Sequence, residues 1–101
     1  GDGRLTSVTL YDKAQDKTRE LPVDGIFVNI GVIPNTALFA GQVTLTPEGR
    51  IAAGEDCRTN LPGVFAAGDV REKEIRQLTT AAADGTTAAL LADKYLASRR
   101  A

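Results

Sequence analysis

Thr59-Asn60-Leu61-Pro62-Gly63-Val64-Phe65-Ala66-Ala67-Gly68-Asp69-Val70 decides how this chain is read. The Pro62-Gly63 pair predicts a turn that launches a short apolar strand, Val64 to Ala67. That strand ends in Gly68 and then Asp69. Small residues at a strand's carboxyl end let a ligand approach the backbone, and a carboxylate there can accept hydrogen bonds from sugar or polyol hydroxyls. In open α/β sheets, ligands bind in the crevice beyond the carboxyl ends of the strands. The pattern therefore points toward a nucleotide cofactor.

The bulk composition narrows the remaining classes. The chain has 101 residues, 43% of them hydrophobic and 25% charged, with a net charge of −1. Those are ordinary values for a globular domain. Near-neutral charge supplies no field favouring nucleic acid or an anionic membrane. No apolar run approaches the roughly 20 residues that span a bilayer. Cys57 is the single cysteine and histidine is absent. An internal disulfide, a Cys-x-x-Cys pair and a thiolate metal cluster are thereby excluded within these residues, and the usual neutral-pH general base is missing. Neither a metal site nor a catalytic residue is expected. Methionine is also absent. Together with an opening in strand-like sequence, this predicts a piece of a longer protein.

Outward from the opening motif, the pattern predicts an α/β chain of hairpins and short strands followed by one long helix. A first strand is expected over 4–12, a polar turn at Gln15-Asp16-Lys17, and a returning strand from Thr18 to Leu21 that Pro22 breaks. Ile26-Phe27-Val28-Asn29-Ile30 reads as a strand buried on both faces. After Gly31, either Asn35 or Thr36 could cap one helical turn through Ala37-Leu38-Phe39. Val43-Thr44-Leu45 and Arg50-Ile51-Ala52 flank a Pro47-Glu48-Gly49 turn as a short hairpin. The Arg71 to Glu74 cluster reads as a solvated face. Leu78, Ala82, Gly85, Ala89, Ala92 and Leu96 form one stripe of a helix. Ala81, Ala88, Leu91 and Tyr95 widen that stripe. Thr79 or Thr80 is expected as amino-terminal cap, and Arg99 and Arg100 suit the negative end of the macrodipole. Gly85, at mid-helix, predicts close backbone packing.

Two positions could carry chemistry. Asp69 is either an acceptor for cofactor hydroxyls or a turn aspartate following a glycine. The helix start near Leu78 is either an ordinary cap or a site for an electron-rich heterocycle, since its first amides lack intrahelical partners. A reduced flavin gains charge at its N1 edge, and protein groups near N1 tune it. Cys57, without a partner in its loop, reads as an incidental thiol.

Gly63-Val64-Phe65-Ala66-Ala67-Gly68-Asp69-Val70, then Arg76-Gln77 and Ala81-Ala82-Ala83-Asp84-Gly85, resembles the carboxy-terminal part of bacterial-type thioredoxin reductases. The related alkyl hydroperoxide reductase flavoprotein subunits share the pattern. Gly31-Val32-Ile33-Pro34-Asn35-Thr36 resembles that family's return from its NADPH-binding domain into its FAD-binding domain. The resemblance covers essentially the whole chain, and the Arg76-Gln77 pair is among its most specific parts. It implies a partial two-dinucleotide-binding-domain flavoprotein fold. Residues 1–31 would close the NADPH-binding domain, and residues 32–101 would form the second half of the FAD-binding domain. Cofactor-binding positions are implied at Gly68, Asp69, Val70, Arg76, Gln77 and Leu78. Among these, Asp69 would meet the ribityl chain, and the Arg76 to Leu78 amides would line the isoalloxazine. The parent would be a cytoplasmic homodimer passing electrons from NADPH through FAD to a thioredoxin-like disulfide protein. The Gly-x-Gly-x-x-Gly loops and the Cys-x-x-Cys of that family do not occur here, and Gly1-Asp2-Gly3 is too short for a phosphate loop. Half of a flavin site, inactive alone, is the expectation. A self-associating module without enzymatic activity, or part of a peroxide-reductase flavoprotein or ferredoxin reductase, is the alternative.

Overall fold

The computed structural model describes residues 3–100, so most of the Gly1-Asp2-Gly3 segment lies outside the described residues. The chain forms two compact units, Gly1–Gly31 and Val32–Ala101.

The first unit is an antiparallel hairpin of β1 (Ser7–Asp12) and β2 (Lys17–Pro22), in register from Ser7 opposite Pro22 to Asp12 opposite Lys17. Its loop has a local cause. The Asp12 carboxylate accepts from the Ala14 and Gln15 amides at 2.9 and 3.2 Å, an Asx turn that reverses the chain. Asp16 closes the loop in the left-handed region at φ 52. Pro22 ends the strand as expected, from inside it. It is the last residue of β2, and the Val23 amide still reaches the Thr6 carbonyl at 3.1 Å. A proline is tolerated there because an edge strand needs no donor on its outer side.

Ile26 to Ile30 is a second correction. The run lies outside any ladder, and Phe27, Val28 and Ile30 are exposed, Phe27 completely. Branched and aromatic residues favour strands because they pack against cross-strand neighbours. Among the described residues no strand pairs with this segment, so the propensity goes unused.

The second unit holds a small core of Val43, Ile51 and Ala66, with Leu45, Ala53, Leu61 and Val70 packed against it. The Leu45–Ile51 hairpin is reduced to one antiparallel bridge around the expected turn. The Val64 to Ala67 strand is likewise shortened to a bridge between Phe65 and Arg58. Asn60 ties two of these loops by accepting from the Thr44 amide at 2.8 Å and donating to the Gln42 carbonyl at 3.3 Å. Ala37–Phe39 is a 3-10 turn. Thr36 precedes it without capping it, because its hydroxyl donates to the Gly49 carbonyl instead.

The helix α1 (Leu78–Arg99) carries the remaining structure. Gln77, rather than Thr79 or Thr80, is its N-cap, and the Thr80 hydroxyl accepts from the Gln77 amide at 3.1 Å. The inward face follows the widening positions of the expected stripe rather than its centre. Ala81, Asp84, Ala88, Leu91 and Tyr95 turn inward, whereas Leu78, Ala82, Gly85, Ala89 and Leu96 are exposed. Tyr95 lies over the Pro62-Gly63 turn. A Cβ on Gly63 would stand 2.7 Å from the Tyr95 ring, at a φ of +84 that disfavours side chains in any case.

Gly85 has nothing within 4 Å of a would-be Cβ, so the expected backbone packing on it is absent among the described residues. Gly85→Ala should therefore raise unfolding free energy by about 0.5–1 kcal/mol. Urea denaturation of the purified chain reads this directly, and a lowered midpoint would show that another surface packs on Gly85.

Candidate functional site

The opening motif ends in a 3-10 turn over Gly68–Val70, and α1 packs against it. Gly68 is buried at φ +81, and a Cβ on it would lie 3.5 Å from that of Ala81. A glycine supplies the left-handed conformation where the turn meets the helix. The turn is pinned from several directions. The Ile51 amide donates to the Val70 carbonyl at 2.9 Å, and the Arg71 amide to the Gly68 carbonyl at 3.2 Å. Arg50 Nη1 donates to the Asp69 carbonyl at 2.5 Å.

Beneath the turn lies a buried charge cluster that the sequence did not disclose. Arg71 Nε and Nη2 donate to the two carboxylate oxygens of Asp84 at 2.7 and 2.9 Å, a bidentate fork. Lys73 Nζ donates to Asp84 Oδ2 at 2.8 Å, and the Gly68 amide to the same oxygen at 2.9 Å. The Arg71 side chain is 1% exposed and that of Asp84 8%. Arg71 also reaches Glu55 Oε1 at 3.2 Å and the Glu72 carbonyl at 3.1 Å. Hydrogen bonding from Arg71 holds the Asp84 carboxyl far below the usual carboxylate range, against the opposing effect of burial. The same pairing pushes the Arg71 guanidinium up.

The reading of Arg71 to Glu74 as a solvated face is thus corrected. Glu72 and Glu74 are exposed, but Arg71 and the Lys73 side chain point inward to Asp84. Arg and Asp are seldom fully buried unless paired, and here the partners stand 13 residues apart. The available signal was the helix face itself, since Asp84 falls between Ala81 and Ala88 at helical spacing.

Cys57 is fully buried, with its backbone at φ 59 and its thiol 3.5 Å from the Asp84 carbonyl. Its amide donates to the Gly54 carbonyl and its own carbonyl accepts from the Ala66 amide. Burial pushes its thiol pKa up, and the side chain packs against the cluster rather than facing solvent.

The six positions singled out from sequence divide into two groups. Gly68, Asp69 and Val70 form the turn. Arg76, Gln77 and Leu78 form the entry to α1. Asp69 is exposed, and its carboxylate takes no hydrogen bond from the described residues. Gln77 and Leu78 are exposed. Arg76 is partly covered, 3.9 Å from Glu72, and its Nε is buried without a partner among the described residues. A cleft of about 320 Å³ also lies beside the start of α1, lined by Lys73, Ile75, Thr80, Ala83 and Asp84 with Glu55 and Glu74. None of the six positions lines it. Chemically, the six present one exposed acceptor, suited to hydroxyls, and one helix start rich in donors, suited to an electron-rich edge.

Residues 1–85 match the family described as pyridine nucleotide-disulphide oxidoreductase. The chain belongs to that family. Within this oxidoreductase family, it is 48% identical over 99 residues to a thioredoxin reductase of Streptomyces clavuligerus, covering 97% of this chain and 31% of that protein. It is 44% identical over 99 residues to a 34.2 kDa protein in the rubredoxin operon of Clostridium pasteurianum, covering 98% of this chain and 32% of the relative. The crystal structure of thioredoxin reductase from Streptococcus pyogenes superposes with a TM-score of 0.78 at 33% identity, over 97% of this chain and 32% of that one. The chain is thus thioredoxin-reductase-like along nearly its whole length, and it spans about a third of the length of the curated relatives it matches.

The buried cluster sets both mutational and acid sensitivity. Arg71→Met leaves the Asp84 carboxylate short of its principal partner and should cost about 3–5 kcal/mol of stability. Equilibrium unfolding in urea measures it, and a loss under about 1 kcal/mol would show the pair to be solvated. Asp84 has a depressed folded-state pKa, so its contribution is full above the unfolded carboxylate value of about 3.9 and is lost as pH falls below it. The urea midpoint should therefore drop steeply between about pH 5 and about pH 2. In Asp84→Asn that part of the drop should disappear.

Proposed function

We propose that this chain is the carboxy-terminal portion of a thioredoxin-reductase-like flavoprotein and contributes one half of its FAD site. The observation that carries this reading is the joining of the Gly68–Val70 turn to α1, which presents Asp69 and the helix start from one rigid support. Family membership and the thioredoxin reductase relatives support it further.

The residues fit the chemistry of the group. An exposed carboxylate without a protein donor complements the ribityl hydroxyls, and Asp69 would hold that chain. Gly68 brings backbone close, and Val70 continues the turn beside it. Arg76, Gln77 and Leu78 would line the isoalloxazine, with the first amides of α1 directed at its electron-rich edge. When bound, FAD would supply two-electron transfer between NADPH and a disulfide. The chain's own residues bind and orient.

Residues 1–31 would close the NADPH-binding domain, and residues 32–101 would be the second half of the FAD-binding domain. A two-stranded hairpin is marginal by itself in water, which suits β1–β2 to a larger sheet in the parent. The parent's partners would be the rest of the flavoprotein chain, a second copy, and a thioredoxin-like disulfide protein. Its cytoplasmic location is part of the same reading; no helix among the described residues is long and apolar enough to cross a membrane.

The pure chain, incubated with FAD, NADPH and a disulfide protein, should show no turnover. Reduction above the enzyme-free rate would overturn the half-site reading. A second reading, a self-associating module, is favoured by one observation. Phe27, Val28 and Ile30 of the first unit are all at least 77% exposed, apolar side chains of the kind that seek a partner. Mass in solution with and without FAD separates the two. A monomer that takes up FAD supports the half-site, whereas a dimer indifferent to FAD supports self-association.

A further inference from the structure

Asp69 has no side-chain anchor among the described residues, so its direction depends on the turn that carries it. Gly68, its neighbour, is the point where that turn meets α1, and the Gly68 amide ends on Asp84 Oδ2 at 2.9 Å. Asp84 sits six residues into α1 beyond Leu78, about 9 Å along the axis from the first amides. One carboxylate thus joins the turn bearing Asp69 to the helix bearing Gln77 and Leu78.

A carboxylate is an unexpected choice if only stability were at stake. Buried ion pairs are often matched or exceeded by apolar replacements of similar volume. An apolar side chain at this position, however, would leave the buried Gly68 amide unpaired, and the left-handed turn would lose its tie to α1. The carboxylate also needs Arg71 for its own orientation. The fork from Nε and Nη2 fixes both oxygens, leaving Oδ2 aimed at Gly68 and Lys73. A lysine in place of Arg71 would preserve the charge without reproducing that fork.

We propose that Asp84 is the positioning residue of the flavin half-site: held by Arg71, it fixes the Gly68–Val70 turn on α1 and so sets Asp69 relative to the helix start. The proposal rests on the flavin reading above. It assigns Asp84 no contact with the cofactor.

The test uses the full-length flavoprotein that carries this segment, with Asp84→Asn, Arg71→Lys and, as a check on the flavin reading, Asp69→Ala. Three quantities are read for each: the FAD dissociation constant of the apoprotein, the visible absorption band of bound flavin, and the FAD midpoint potential. Apoprotein melting serves as the control. Asp84→Asn and Arg71→Lys should each weaken FAD binding about tenfold, equivalent to about 1.4 kcal/mol, and should alter the band shape and potential. Lowered melting with unchanged affinity, band and potential in both variants would reduce Asp84 to a packing role and overturn the proposal. If Asp84→Asn does not fold, Arg71→Lys decides alone, since it keeps the buried charge balance. The two possible failures are distinguishable. FAD affinity unchanged in Asp69→Ala defeats the flavin reading itself. Affinity lost in Asp69→Ala but kept in the other two variants defeats only the positioning role.

Discussion

The bidentate pair between Arg71 and Asp84 is the constraint on which the second unit depends. Its core of Val43, Ile51 and Ala66 is too small to organise the surrounding loops by burial alone. Arg71 compensates through both its backbone and its side chain. Its backbone runs parallel to Ile51, with the Ile51 amide on the Val70 carbonyl and the Glu72 amide on the Ile51 carbonyl. Its guanidinium reaches Asp84 on the helix and Glu55 in the preceding loop. Desolvating two charges is costly, and only multiple good hydrogen bonds offset it. Asp84 has them, from Arg71, Lys73 and the Gly68 amide.

The helix depends on the same pair in a different way. Much of its inward face is small, with Ala81 and Ala88 on either side of Asp84. Small side chains bury little apolar area, so they supply little hydrophobic attraction. What they allow is proximity, and the charged hydrogen bonds at Asp84 turn proximity into a fixed docking. Farther along, Leu91 and Tyr95 restore conventional packing, and Tyr95 covers the Gly63 turn.

This arrangement explains which parts of the chain were legible beforehand. The first hairpin and the helix were readable because their signals are local: alternation, a polar turn, and a long run of helix-compatible residues ending at arginines. The helix face was readable only in part, because alanine, glycine and threonine occupy 12 of its 22 positions and leave hydrophobicity with little contrast. The same weakness hid the cluster, since Arg71 and Lys73 look like any solvated charged stretch until Asp84 is recognised as a carboxylate on an inward face. The Ile26 to Ile30 strand failed for another reason. Strand formation is a property of pairs, and no partner strand lies among the described residues. For the site, the Gly68-Asp69 turn and the Arg76-Gln77 helix entry were both readable as motifs, whereas the bond that joins them is a contact between residues distant in sequence.

Cys57 gives this architecture an internal witness. Its thiol, the chain's sole sulfur, is shut beneath α1 against the Asp84 carbonyl. A thiol-modifying reagent can reach it only when the helix lifts from the turn or the loop around it opens. Its rate of labelling is therefore a clock for that opening, running in the native protein without an added probe. Ligands that bridge the turn and the helix slow the clock, and changes that loosen the buried charges speed it.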